Sequence, residues 1–162
     1  MPAQKIKLNK KGFTLIELLV VIGILAILFA ITLIAINPAK QFAQANDTKR
    51  RSDVSAILNA IGQYSVDNSG QLPGDGIGPG GTDMITTSNR LISSTGANIC
   101  AFLIPKYVAQ LPTDPASAAA GAPIISCAGA YDTGYFVIKS AQDNRLTISA
   151  VGQIVSVISV TR

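Results

Sequence analysis

The sequence predicts an α+β chain, in which a long, bent N-terminal α-helix with a transmembrane first half packs against a small antiparallel β-sheet head. Three observations predict it. Residues 13–36 form 24 consecutive positions with one ionisable side chain, Glu17, and a helix of that length rises about 36 Å, against roughly 30 Å for a bilayer core. Beyond this run Ala39, Phe42 and Ala43, then Val54, Ile57, Leu58, Ile61 and Tyr64, recur at i, i+3, i+4 and i+7, the one-sided stripe of an amphipathic helix. Near the C-terminus, residues 133–140, 145–150 and 154–160 are rich in β-branched and aromatic side chains and are separated by turn residues.

In order, residues 1–12 read as a leader, with four lysines and no apolar core of its own. Residues 13–36 form the apolar span. Ala43-Gln44-Ala45 offers a small-x-small site for a conventional secretory signal, but the apolar run exceeds the roughly 7–15 residues of such a signal core. An uncleaved anchor is a further alternative. The leader lysines favour a cytoplasmic N-terminus, although Lys40, Lys49, Arg50 and Arg51 beyond the span weaken that charge argument.

Asn37-Pro38 interrupts the helix, because proline lacks an N–H and disfavours helix in the residue before it. Pro38 is therefore the expected kink. Residues 37–68 form the amphipathic half, ending at the polar cluster Asp67-Asn68-Ser69-Gly70. Asp47 with Arg51, and Lys49 with Asp53, are i,i+4 pairs, and the stretch from Asp47 to Arg51 reads as a solvated helix face rather than a lipid-headgroup contact. Residues 69–98 read as a Gly-rich connecting loop with turns at Pro73-Gly74, Asp75-Gly76 and Pro79-Gly80-Gly81. They lack the Gly-Lys-Ser/Thr ending of a phosphate loop. Residues 99–162 complete the globular head: a short helix or extended segment over 99–107, then an antiparallel meander turning at Asp143-Asn144 and Val151-Gly152-Gln153.

Charge and composition exclude several functions. The formal charge is +4, but four of the thirteen basic residues lie in the leader, leaving nine basic against nine acidic side chains. Nucleic acid is therefore not indicated as a partner. With no histidine, His-based triads and His-rich metal sites are out, and no nucleophile, base and orienter set is legible, so the chain does not read as an enzyme. Asp114 and Asp132 fall far short of the oxygen cage of a calcium site and read as loop aspartates. No cofactor or metal is called for. Cys100 and Cys127 are the only cysteines; in an oxidising compartment they favour a disulfide over two buried thiols, closing a loop of about 28 residues for about 3–4 kcal/mol.

Glu17 is the residue out of place, since a carboxylate at bilayer depth costs about 2.5–3.5 kcal/mol. Either it lies near the membrane surface and snorkels, or the chain is cut between Gly12 and Phe13 and the new amine pairs with it.

Lys10-Lys11-Gly12 followed by Phe13-Thr14-Leu15-Ile16-Glu17-Leu18-Leu19-Val20-Val21 resembles, nearly residue for residue over 10–27, the prepilin signature of type IV pilins and the related pseudopilins. A second stretch, Phe102-Leu103-Ile104-Pro105-Lys106-Tyr107-Val108 with Leu111-Pro112-Thr113-Asp114-Pro115, more distantly resembles a segment of their heads. The resemblance implies a pilin fold, cleavage after Gly12 by a prepilin peptidase, N-methylation of Phe13, and Glu17 as the assembly residue that meets the Phe13 amine of an adjacent subunit. It also implies a helical polymer of identical subunits, raised from the cytoplasmic membrane by an assembly ATPase and a platform protein into an extracellular pilus or pseudopilus. The competing expectation is a monomeric exported binding protein, anchored by or secreted through its apolar segment.

Overall fold

The computed structural model describes residues 12–76 and 83–162. The rest of the leader and the turn expected at Pro79-Gly80-Gly81 lie outside the described residues. By compactness the chain divides between Gln41 and Phe42 into two units.

The first unit contains α1, Leu15–Ala35. Its mean hydropathy is 3.2 and none of its residues is buried. The ladder stops at Ile36, which leaves the helical region at φ −93°, ψ 60°. A second helix, α2, spans Pro38–Asp67. Proline suits this first position, where the missing N–H has no helical acceptor. Asn37 caps the start, its side chain accepting from the Lys40 N–H at 3.3 Å. At the far end Ser69 and Gly70 take positive φ (55° and 89°), and the Gly70 N–H closes onto the Ser65 carbonyl at 2.8 Å. Glycine tolerates that left-handed turn without a Cβ clash.

In the second unit, four antiparallel strands lie in the order β1-β2-β3-β4: Arg90–Ser93, Asp132–Lys139, Leu146–Val151 and Val157–Thr161. The last three form the expected meander, except that the strand expected over 154–160 starts only at Val157, because residues 153–155 turn their N–H groups onto Asp47. The first falls inside the stretch read from sequence as a connecting loop. Only four residues long and set among Ser, Thr and Gly, it becomes a strand by pairing with β2 some forty positions away, Leu91 opposite Phe136. A short helix α3, Cys100–Leu103, precedes the bridge between Leu111 and Ile124.

Period-2 alternation decides which strand residues point inward. Tyr135 and Val137 of β2, Leu146, Ile148 and Ala150 of β3, and Ile158 of β4 are buried, against Val54, Ile57, Leu58 and Ile61 of α2 in the same core. Each such aliphatic side chain contributes about 1.5–3 kcal/mol on full burial. The irregular pattern of β4 resolves simply: Ile158 faces in and Val157 and Ser159 face out. Tyr64 meets Phe102 and Tyr107 edge-on, with ring centroids 6.0 and 5.5 Å away. Cys100 and Cys127 are joined, their Cα atoms 5.7 Å apart.

Candidate functional site

The start of α1 is built as a capping box. Thr14, extended at φ −81°, ψ 152°, is the N-cap, and its Oγ1 accepts from the Glu17 N–H at 3.3 Å. In return Glu17 Oε2 accepts from the Thr14 N–H and from the Thr14 hydroxyl, both at 2.8 Å. Two of the N–H groups that a helix start leaves without partners are thereby satisfied. Glu17 also lies in the first turn, where the helix dipole favours negative charge.

Among the described residues, then, the partner of Glu17 is Thr14. Both bonds land on one oxygen, and Oε1 accepts none among the described residues. Around this carboxylate Phe13, Ile16, Val20 and Val21 expose more than half of their surface. The pattern Thr-x-x-Glu is the sequence signature of a capping box, set here inside an apolar run whose hydropathy does not express it.

The head carries a second polar constellation. The stretch from Asp47 to Arg51 is not uniformly solvated: Asp47 and Arg50 are each only 2% exposed. Asp47 pairs with Arg50 at 2.8 Å, three residues on, and not with Arg51. Arg50 is drawn inward because its Nε and Nη2 reach the two carboxylate oxygens of Asp114 at 2.7 Å each. Arg51, one position further round the helix, stays exposed. Lys49 and Asp53 form the other pair, at 2.9 Å.

Asp114 is brought to this place by β2. Its N–H donates to the Thr133 carbonyl at 2.8 Å, and the adjacent Gly134 has φ 75° with no side chain to fill the space. A Cβ there would come within 2.7 Å of the Asp114 Cβ. Asp47 is held by the loop between β3 and β4: the N–H groups of Gln153, Ile154 and Val155 donate to it at 2.8, 2.9 and 3.3 Å.

The Gln153 N–H does most to hold Asp47 well below the usual carboxylate range, against the opposing cost of burial and with help from the other two amides and Arg50. Burial pushes Asp114 up, but the Arg50 fork and the Ala116 N–H outweigh it and leave that carboxyl lowered. Arg50, paired with Asp114 and Asp47, is raised further above neutrality. All three groups carry charge across the physiological range, so the cluster is a structural clamp rather than an acid–base pair. No group of three or more metal-ligating side chains occurs among the described residues.

What the chain is similar to follows from its other end. Residues 7–33 match the prokaryotic N-terminal methylation motif. This match supports a type IV pilin-like prepilin signal at the N-terminus. No curated protein and no solved structure matches the chain. The prepilin motif implies processing by a prepilin peptidase and assembly into a pilus-like filament, and with α1 it fits membrane anchoring before assembly. Its α+β architecture, an apolar N-terminal helix and a helix packed on an antiparallel sheet, fits the pilin fold.

Proposed function

We propose that this prepilin is a structural subunit, major pilin or pseudopilin, of a type IV pilus-like filament, and not an enzyme. In this account the leader is cut between Gly12 and Phe13, Phe13 is N-methylated, and residues 13–36 serve first as a membrane span and then as the filament core. Residues 37–68 connect that core to the outer surface, which residues 69–98 and 99–162 provide. The observation that carries the proposal is the match of residues 7–33 to the methylation motif, over a helix with no buried residue and Glu17 as its one ionisable group.

Cleavage creates an α-amine, mostly protonated at neutral pH because its ordinary pKa is about 7.7–8.0. The capping box leaves Glu17 Oε1 open to such a donor. An unpaired charge moved from the membrane boundary into a helix bundle is heavily penalised, so pairing with the Phe13 amine of an adjacent subunit selects one axial stagger. A repeated head-to-tail contact that does not close into a ring then gives a fibre. Identical subunits, the peptidase, an assembly ATPase and a platform protein are the partners this requires.

Changing Glu17→Ala tests the assembly step. Surface filaments should be lost while membrane insertion and leader removal continue. Filaments of normal length and number from this variant would remove the role given to Glu17.

A further inference from the structure

At one end of the sheet an apolar surface stands uncovered. Val151 and Val157 face each other as the rung of the β3–β4 pair nearest the connecting loop and are 65% and 61% exposed. Ile154 and Val155, in the loop itself, are 48% and 43% exposed. This loop is locked in place. Three successive N–H groups donate to the buried Asp47, Asn46 Nδ2 donates to Gln153 Oε1 at 3.0 Å, and Gly152 sits where a Cβ would collide with the Val155 carbonyl oxygen.

Such an arrangement holds apolar side chains in water in one fixed geometry, which is worth its cost when something covers them. Its charge indicates what. Ile154 and Val155 line, with Gln44, Thr48 and Arg51, an open pocket of about 370 Å³. Asp47, the one carboxylate there, is turned inward onto three loop amides and Arg50 and is only 2% exposed. Arg51 is exposed and forms no ion pair among the described residues. Apolar tips beside an unneutralised cation match a bilayer surface carrying anionic headgroups.

The position on the chain agrees. Asp47 lies five residues after Phe42, the first residue of the head unit, or about 7 Å along the helix. Upstream of Phe42 the chain leads directly to the membrane-length helix α1. The loop is therefore pinned at the tethered end of the head.

We propose that the β3–β4 loop, with Ile154 and Val155 at its tip and Arg51 beside it, docks on an anionic bilayer surface before the subunit is extracted. The proposal rests on the membrane anchoring of α1. It reverses the simplest sequence reading of the charges near Arg51, because the structure removes Asp47 and Arg50 from the surface and sets Arg51 beside an apolar loop.

The chain has no tryptophan, so single-tryptophan variants are clean reporters. The full chain carrying Val155→Trp, Ile125→Trp or Leu25→Trp is reconstituted in phosphatidylcholine/phosphatidylglycerol vesicles with acyl chains brominated near the headgroup for positions 155 and 125, and near the chain end for position 25, which lies at the middle of α1. Ile125 is a control in the head, 73% exposed and outside this pocket. Quenching at Val155→Trp should exceed that at Ile125→Trp by about twofold or more, since interfacial side chains insert some 5–10 Å, and should fall on adding Arg51→Glu or omitting phosphatidylglycerol. Equal quenching at positions 155 and 125, with strong quenching at position 25, would overturn the docking proposal and leave membrane anchoring intact. Absence of quenching at position 25 would contradict the anchoring itself. A blue shift at position 155 that follows protein density rather than bromolipid would mean that a second copy covers the loop, and would equally overturn the proposal.

Discussion

Glu17 and Asp47 are both carboxylates, one in the first turn of α1 and one near the start of the head unit, and the chain treats them in opposite ways. Asp47 is closed in by three loop amides and by Arg50, which is itself forked onto Asp114. Among the described residues Glu17 meets only Thr14, on one oxygen, on a helix with no buried residue. Asp47 has its charge and lone pairs met within one molecule, by Arg50 and three amides; at the start of α1 Glu17 uses one oxygen of two among the described residues. The difference separates a unit with its own buried core from a helix with no buried residue, whose cover in the proposed account is lipid and then other subunits.

The largest expected effect comes from breaking the closed side of this comparison. Arg50→Ala strands Asp47 and Asp114 as unpaired buried charges and should destabilise the head by about 3–5 kcal/mol, read by urea unfolding of the full chain in detergent. Ile57→Ala removes the side chain of a core residue 1% exposed and should cost about 2–5 kcal/mol. A graded effect is expected with pH. Asp47 and Asp114 have folded pKa values below their unfolded ones, so their stabilisation is fully present above the unfolded value near 3.9 and is lost as pH falls through the folded values. Unfolding midpoints should be flat from about pH 7 to 5 and fall below that, and Asp47→Asn should flatten the fall. The smallest effect is Arg51→Ala, exposed and without an ion pair among the described residues, which should stay within about 0.5 kcal/mol. A loss comparable to that of Arg50→Ala would show that the division between closed and open charges is drawn in the wrong place.

Much of this architecture could be read from local pattern, and the parts that could not share a physical reason. The apolarity of α1, broken at Glu17 alone among ionisable groups, marks a membrane-length helix, and the stripe Val54, Ile57, Leu58, Ile61 of α2 and the alternation around Tyr135 and Val137 each report burial within one element. Strand β1 does not: Leu91 and Ile92 make sense only opposite β2. The clamp is equally non-local, since Arg50 and Asp114 lie 64 positions apart and a run of charges on a helix gives no sign that two of them turn inward. At the N-terminus the motif around Gly12, Phe13 and Glu17 is legible locally, because a lone carboxylate in an apolar run is costly. The capping by Thr14 was equally local, yet it is a statement about helix geometry that hydropathy does not express.

The most direct test of the filament account is the intact mass and N-terminal sequence of protein sheared from the cell surface. The account predicts a chain that begins at Phe13 with a methyl group on its amine. A chain beginning at Asn46, or one still carrying residues 1–12, would contradict it.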